Sequence, residues 1–348
     1  PSQQLNFESW DPAKAMPDLE RSDGRAYILA LGSRMDIDHA SFSDLGYEEG
    51  TVSGVAWKSL RLNGETTVGR GDVTNSQFMR NYFGAYTFES IEMHWTGNVF
   101  ADNIGYGFDP HDFSDYFQVE NNIARNNGSH GIIFSRGCSH NVIRGNRSFG
   151  NDGHGIMLDD GKVIPNSNNP RYLVPVPSNY NIIENNLVMN NTDGIVLEGG
   201  AGNIVRNNTI TGSHRYGLRF KDNVTDTLVI SNTIENSGRF GLFIYNQSSN
   251  NKFQQKTISY SSTGIVFQNA TQNNFTANTE NNIKGSAIVL KGNVSASIID
   301  HNSFSGSGPK PIRTEKMTGL DVEKLRKSND FSHWRPRAPA ILLPLSLS

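Results

Sequence analysis

Several features that would point to common kinds of functional site are scarce in this sequence. Its 348 residues include one cysteine, Cys138, which excludes an internal disulfide and a cysteine-based metal cluster. Because no catalytic base motif surrounds it, we expect Cys138 to be a buried structural thiol. The 31 basic and 34 acidic residues form no basic stripe or nucleic-acid motif, which argues against a nucleic-acid partner.

Long apolar runs are also absent. No segment reaches the length of a membrane span, and residues 338–347 are too short and too interrupted by proline to form one. No signal peptide opens the chain, and its start at Pro1 rather than Met suggests that a segment was removed upstream. Only 36% of the residues are hydrophobic and the mean hydropathy is negative, as is usual for a solenoid with a narrow interior column.

The sequence does contain a repeat in which a glycine is followed by alternating apolar residues. Copies begin at Gly107, Gly131, Gly155, Gly194, Gly217, Gly241 and Gly264, with Ala287 opening a last one. The successive steps are 24, 24, 39, 23, 24, 23 and 23 residues. Because the long step holds a Pro-rich run, we predict a loop inserted into one coil at residues 163–178.

A period in the low twenties with strand-like starts leaves a leucine-rich horseshoe or a parallel β-helix. No Leu-x-x-Leu-x-Leu consensus recurs, whereas 40 residues are Asn, many of them framing a second apolar stretch of each coil. Asn tolerates left-handed backbone at corners and can stack on the Asn of the next coil. The sequence therefore predicts an all-β fold, a single parallel β-helix. Matches to Asn-x-Ser/Thr at Asn127, Asn146 and Asn223 are read as structural rather than as glycosylation sites.

Both ends of the chain depart from the repeat, as a solenoid requires if it is to cover its end coils. We predict an N-terminal cap at residues 1–25, the β-helix at 26–307, and a C-terminal cap and tail at 308–348. A short helix is expected near Asp321 to Lys327, with the tail packed back along the coils.

Strand alternation turns the repeat into a surface, because outward side chains of stacked coils form columns. One predicted outward column holds Phe88, His111, Ser135, Asp159, Glu198 and Lys221. The column at the next corner holds Glu89, Asp112, Arg136, Asp160, Gly199 and Asp222. The column before each glycine holds Phe83, Tyr106, His130, His154, Asp193 and Tyr216. These charged and aromatic residues predict a groove for an extended polymer, and Arg136 and Lys221 suggest that the polymer is anionic.

The most distinctive stretch is Tyr106-Gly-Phe-Asp109-Pro-His111-Asp112, followed one coil later by His130-Gly-Ile-Ile-Phe-Ser-Arg136. This pair of segments resembles the mannuronan C5-epimerases of alginate biosynthesis, most closely the periplasmic AlgG type. The resemblance covers about residues 30–310 and implies a right-handed parallel β-helix, a periplasmic location and polymannuronate as substrate. It also raises the possibility of alginate secretion-complex proteins as partners. The Gly-Gly-x-Gly-x-Asp calcium repeats of the secreted relatives do not occur here.

Epimerisation at C5 requires a base, an acid on the opposite face, and a group that neutralises the charge developing beside the carboxylate. His111 is assigned as the base, since its intrinsic pKa lies near neutrality. Arg136 is assigned as the neutraliser because its planar fork binds carboxylates bidentately. Tyr106 or a held water is the expected acid. Asp109 and Asp112 flank His111 and are expected to raise its pKa or hold its ring, with contact to substrate as the alternative role for one of them.

The expected substrate-binding residues are His130, His154, Asp159, Asp160, Lys221 and Glu198. No cofactor and no metal site is expected, although Asp159 and Asp160 keep a metal-bridged mechanism open. An alginate or pectate lyase would share the fold and the first chemical step, and a non-catalytic glycan-binding β-helix is a third alternative.

Overall fold

The repeat folds into coils that stack through parallel strand pairing. The computed structural model describes residues 4–22, 24–48, 53–161 and 163–336, and three long parallel sheets run through them. A typical coil gives one short strand to each sheet, in the chain order sheet C, sheet B, sheet A. This is the parallel β-helix that the period predicts.

Sheet A contains β1 (Leu5–Glu8), β6 (Ala40–Ser43), β11 (Gln77–Met79), β14 (Val99–Ala101), β17 (Ile123–Arg125), β20 (Arg147–Phe149), β23 (Leu187–Met189), β26 (Thr209–Thr211), β29 (Thr233–Glu235), β32 (Thr257–Ser259), β35 (Thr279–Ile283) and β38 (Ser303–Gly306). Sheet B contains β5 (Ile37–Asp38), β10 (Asp72–Thr74), β13 (His94–Thr96), β16 (Gln118–Glu120), β19 (Val142–Arg144), β22 (Ile182–Glu184), β25 (Ile204–Arg206), β28 (Leu228–Ile230), β31 (Lys252–Gln254), β34 (Asn274–Thr276) and β37 (Ile298–Asp300). Sheet C contains β4 (Ile28–Leu31), β7 (Gly54–Lys58), β12 (Phe83–Phe88), β15 (Phe108–His111), β18 (Ile132–Ser135), β21 (His154–Asp159), β24 (Asp193–Glu198), β27 (Tyr216–Lys221), β30 (Phe240–Tyr245), β33 (Thr263–Gln268), β36 (Ile288–Asn293) and β39 (Ile312–Thr318).

Short elements complete the described chain. Two antiparallel hairpins lie near the N-terminal end, β2 (Trp10–Asp11) with β3 (Met16–Pro17) and β8 (Leu60–Leu62) with β9 (Glu65–Thr67). A 3-10 helix, Pro170–Tyr172, lies in the inserted loop, and the helix α1 (Val322–Lys327) lies near the C-terminal end. No helix among the described residues combines the length and apolarity needed to cross a bilayer.

The interior is a column of apolar side chains that stack from coil to coil. In the first half of the solenoid, the rings of Phe42, Phe78, Phe100 and Phe108 follow one another. Their centroids lie 5.1 to 5.2 Å apart in near-parallel planes. Such pairs each add about 0.5–1.5 kcal/mol beyond their buried area. Cys138 is fully buried in this column, as expected from its sequence context.

Asparagine has two structural roles in the coils, and neighbouring asparagines at one corner can fill one role each. At the corner between β16 and β17, Asn121 takes the left-handed conformation with φ of 57°. Asn122 instead points inward and accepts a hydrogen bond from Asn98 while donating one to Asn146, each 3.0 Å long. Asn127 is likewise buried in a second ladder. The burial of Asn127 and Asn146 agrees with their structural interpretation, whereas Asn223 is exposed.

The sheets run beyond the expected boundaries of 26–307 at both ends. Strand β1, which lies within the expected N-terminal cap at residues 1–25, pairs with β6. Strand β39 pairs with β36, although it follows residue 307. The C-terminal segment does contain the expected helix, with Asp321 as its N-cap, and Leu325 and Trp334 pack on the core. The expected packing of the tail concerns residues 337–348, which lie outside the described chain.

Candidate active site

The outward face of sheet C carries three parallel columns of side chains, which together form a groove. Strand pairing confirms two of the predicted columns. The column before each glycine contains the pair His154 with Asp193, and the column through His111 contains the pairs His111 with Ser135, Ser135 with Asp159, and Glu198 with Lys221. We call these the leading wall and the trailing wall. Between them lies the floor, which runs through Tyr86, Asp109, Ile133, Met157, Val196, Arg219 and Phe243.

Two pockets open along this groove, one on each side of Tyr106. The first, of about 340 Å³, is lined by Tyr86, Tyr106, Asp109 and His111 together with Glu48, Ser53, Tyr82 and Phe83. The second, of about 310 Å³, is lined by Tyr106, His130, Ile133, Met157, Asp159, Asp160, Gly161 and Glu198. Seven of the eleven residues singled out by sequence therefore line neighbouring cavities on one face, and the other four, Asp112, Arg136, His154 and Lys221, line neither of them.

Asp109 lies on the groove floor but is almost inaccessible, with 1% of its surface exposed. Its Oδ1 atom has no hydrogen-bond partner among the described residues. Burial is the largest influence and, with Asp159 and Asp112 nearby, raises the pKa of Asp109 to about 7 against the opposing effect of His111. At neutral pH a large fraction of Asp109 therefore carries a proton, which makes it a hydrogen-bond donor facing the groove.

His111 lies on the trailing wall with about a quarter of its side chain exposed. Its Nδ1 atom is 2.9 Å from Oδ1 of Asp112, which is fully buried. Burial lowers the pKa of His111, but Asp112, Asp109 and Asp159 outweigh it and the net shift is upward. Because Asp112 faces Nδ1, the Nε2 atom is the ring nitrogen left for chemistry in the groove.

Tyr106, His130 and His154 form a continuous ring stack along the leading wall. The centroid distances are 5.2 Å from Tyr106 to His130 and 4.5 Å from His130 to His154. Burial lowers the pKa of both imidazoles to about 3, so both are neutral at pH 7. The backbone N–H of His154 donates to Nδ1 of His130 over 2.9 Å, which leaves the His130 proton on Nε2. Burial also raises the pKa of Tyr106 to about 12, so its phenol keeps its proton.

Arg136 does not open onto the groove, contrary to the column geometry expected from sequence. Its side chain is 2% exposed, because the inserted loop, residues 163–178, folds over the corner where Arg136 lies. We call this loop the strap. The Arg136 guanidinium donates to the carbonyl oxygens of Arg171 and Val174 and lies 4.8 Å from the ring centroid of Tyr172. Its Nε atom is 3.6 Å from Oδ1 of Asp112, so Arg136 supports the carboxylate that faces His111.

The strap is anchored at several points of the corner column. Arg171 forms an ion pair with Glu89, and the Tyr172 hydroxyl donates to Asp112 over 3.4 Å. Both Asp112 and Arg136 take left-handed backbone, with φ of 35° and 57°, where the same column elsewhere uses Gly199. Left-handed backbone costs a side-chain-bearing residue about 1–2 kcal/mol. The corner therefore retains charged side chains at a strained position.

Of the remaining predicted binding residues, Asp159, Glu198 and Lys221 lie further along the trailing wall, and Asp160 lies at the adjoining corner. Asp159, Asp160 and Glu198 hold carboxylate oxygens within 4.8 Å of one another, a spacing that a cation could bridge. Burial, followed by Glu198 and Asp159, raises the pKa of Asp160 to about 6. Lys221 forms an ion pair with Glu198 and so competes with any metal cation for the Glu198 carboxylate.

Sequence reasoning missed several groups of the groove. Tyr86 forms part of the floor beside His111, with ring centroids 5.8 Å apart, and burial raises its pKa well above the ordinary value. Lys58 lies with its Nζ atom 5.0 Å from the Tyr86 ring centroid. Arg219 lies on the floor three coils beyond Ile133. The alternation of β12 and β27 already indicated that Tyr86 and Arg219 face outward, and that signal could have found them.

Comparison with protein families supports the fold. The model of the family described as "Right handed beta helix region" matches residues 51–170 and 174–324 of this chain. The gap between the two matched segments falls within the strap.

Among curated proteins, a mannuronan C5-epimerase of Pseudomonas putida is 27% identical over 206 residues, covering 58% of this chain and 37% of the relative. A mannuronan C5-epimerase of Pseudomonas syringae pv. tomato is 30% identical over 193 residues, covering 53% of this chain and 33% of the relative. The chain thus spans about a third of the length of these relatives. Among solved structures, the periplasmic alginate epimerase AlgG superposes with a TM-score of 0.62 at 20% identity, covering 91% of this chain and 68% of that one.

Proposed function

We propose that this chain, which belongs to the right-handed β-helix family, is the catalytic β-helix of a mannuronan C5-epimerase. It would convert β-D-mannuronate residues of the alginate polymer into α-L-guluronate. The observation that carries the proposal is the convergence of Tyr106, Asp109 and His111 on one pocket of an open groove. The curated relatives named mannuronan C5-epimerase support the same reaction.

In the proposed reaction, His111 removes the C5 proton and Tyr106 returns one from the other face. The two groups lie on opposite walls of the groove, with Asp109 on the floor between them. A sugar lying across the floor would therefore meet a base on one side and an acid on the other. The protonation states agree with these roles, since the pKa of Tyr106 is raised to about 12 and it retains its proton.

The developing charge on the substrate carboxylate needs a neutralising partner. Arg136 could reach the groove only if the strap moved aside, because Arg171, Val174 and Tyr172 now surround its guanidinium. Asp109 needs no such movement, and with its pKa at about 7 it can donate a hydrogen bond to that carboxylate. We therefore assign the direct contact to Asp109, and propose that Arg136 acts through Asp112 on the orientation of His111.

The polymer would extend along the groove from this centre. His130 and His154 present neutral ring edges, and Asp159, Asp160, Glu198 and Lys221 line the other side. We propose these six residues as contacts for neighbouring sugars. The reaction as proposed draws on no cofactor.

We further propose that the protein acts in the periplasm, with secretion-complex proteins of alginate as partners. The resemblance of the Tyr106 to Asp112 segment to the periplasmic type supports this, as does the superposition on a structure named as a periplasmic epimerase.

Proton NMR of polymannuronate after incubation with the protein tests the reaction. Guluronate signals without new chain ends are expected. Unsaturated ends would indicate a lyase, since the same carbanion can eliminate the 4-linked sugar. Binding without any change of the polymer would indicate a glycan-binding module.

A further inference from the structure

A group of three arginines lies on the same face as the active site, four to five coils further along the solenoid. Arg215 and Arg239 occupy the same position in successive coils, just before the leading wall, and the backbone N–H of Arg239 donates to the carbonyl of Arg215 over 2.8 Å. Arg219 lies on the floor beside Val196 and Phe243. All three guanidinium carbons lie 5.5 to 5.8 Å from the ring centroid of Tyr216.

The charge of this group is only partly balanced. Asp193, which is fully buried, contacts Arg215 at 2.9 Å and Arg219 at 3.0 Å. No carboxylate among the described residues lies within ion-pair distance of Arg239, which is exposed. Three positive charges thus surround one negative charge, and 42% of the Arg215 side chain remains open to solvent.

The group is held in a defined geometry and flanked by aromatic surface. Arg219 donates to the Tyr245 hydroxyl over 2.6 and 3.1 Å, and Tyr245 stacks on Phe243 with centroids 4.2 Å apart. Arg239 donates to the Tyr216 hydroxyl over 3.3 Å. Guanidinium groups restrained in this way can bind carboxylates bidentately at a reduced entropic penalty. Aromatic faces beside them suit the apolar faces of sugar rings.

We propose that Arg215, Arg219 and Arg239, with Tyr216 and Phe243, form a distal binding region for the carboxylates of a uronate polymer. The inference rests on the proposed function for the identity of the polymer. Stacked coils are about 4.8 Å apart, so this region lies about 19–24 Å along the axis from His111. A sugar residue spans about one coil, so only a chain of several sugars can occupy the reaction centre and the distal region together. The region therefore makes binding depend on polymer length.

Arg239→Glu tests this, because Arg239 has no carboxylate partner among the described residues whose loss would unbalance the fold. The matched control is Arg147→Glu. Arg147 is an exposed arginine on sheet A, 5.8 Å from the Phe149 ring, and no ion pair is formed by it within the described chain. Binding to polymannuronate and to a mannuronate trimer is measured by affinity electrophoresis and calorimetry, and turnover of both is measured by NMR. Circular dichroism checks that both variants are folded.

We expect Arg239→Glu to weaken binding of the long polymer and raise its KM about tenfold or more. Its kcat should stay within about twofold, turnover of the trimer should be unchanged, and Arg147→Glu should match the parent protein. Equal behaviour of the two variants on the long polymer would overturn the inference while leaving the reaction standing. If the parent protein forms no guluronate but Arg239→Glu still selectively loses polymer binding, the distal region stands and the epimerase assignment is refuted.

Discussion

Replacing Asp109 by Asn should make the protein more stable, and by an amount that grows with pH. The carboxyl group is 1% exposed, and its Oδ1 atom lacks a hydrogen-bond partner among the described residues. Its pKa is raised from 3.8 to about 7, first by burial and then by Asp159 and Asp112. Since the unfolded chain loses the proton more readily than the folded chain, rising pH favours unfolding.

The size of the effect follows from the shift. Three pKa units correspond to about 4 kcal/mol at pH values well above 7. At pH 5 the destabilisation caused by burying the Asp109 carboxyl group is smaller, about 1.5 kcal/mol, because the folded carboxyl group is still protonated. Between pH 5 and pH 8.5 the advantage of Asp109→Asn in free energy of unfolding should therefore widen by roughly 2–3 kcal/mol. The penalty is fully present above the folded pKa and disappears below the unfolded one.

Denaturant unfolding of parent and variant across this pH range measures the difference. Asp152→Asn is the control, since Asp152 is an exposed corner residue and its substitution should give no such widening. The comparison should be repeated in a His111→Gln background, because the positive charge of His111 lowers the pKa of Asp109. In that background, the pH range over which the free energies of unfolding of parent and variant diverge should move to higher pH. A stability difference that stays constant within about 0.5 kcal/mol would refute the assignment of a protonated Asp109.

Other perturbations test the remaining roles. His111→Ala should lower guluronate formation at least 100-fold, the scale of a lost general base, with unchanged circular dichroism; retention of a tenth of the activity would remove His111 from that role. In the parent, kcat/KM should fall with acid through a pKa above the ordinary histidine value, because the base must be neutral and the pKa of His111 is raised. Arg136→Ala should destabilise the fold by about 3–5 kcal/mol, because buried Asp112 keeps only His111 as a cationic partner and the strap carbonyls of Arg171 and Val174 lose their donor. Arg136→Lys should recover only part of both stability and turnover, and normal turnover in Arg136→Lys would show that a point charge suffices. Activity should survive excess EDTA, whereas loss on chelation and recovery with calcium would assign a metal to Asp159, Asp160 and Glu198.

The outward columns could be read from the sequence because they depend only on period and alternation. Once Gly107, Gly131 and Gly155 are aligned, the strand residues that follow them fall into register. The pairing of His111 with Ser135, each four residues after its glycine, is one result. The laddered Asn residues follow from the same period. These are local properties that repeat, so each copy reinforces the others.

The burial of Arg136 could not be read in this way. It depends on the path of the strap, whose sequence has no period and whose contacts with Glu89 and Asp112 reach back 82 and 60 residues. The raised pKa of Asp109 was equally hidden, because it arises first from burial and then from Asp112 and from Asp159, which lies two coils further along. Nonlocal contacts of irregular loops leave no recurring signal in the sequence.

The asparagine ladders continue without interruption across the strap. Asn141 bonds Asn181, Asn146 bonds Asn186, and Asn151 bonds Asn191 through side-chain amides, although each pair is 40 residues apart rather than 24.

The corner after the sheet C strand therefore tolerates added chain without disturbing the register of the coils on either side. That corner adjoins the groove, so it is a position where segments of different length could be exchanged by recombination or by grafting. Changes at this corner could alter which polymers the groove binds without altering the residues that the stacked coils require.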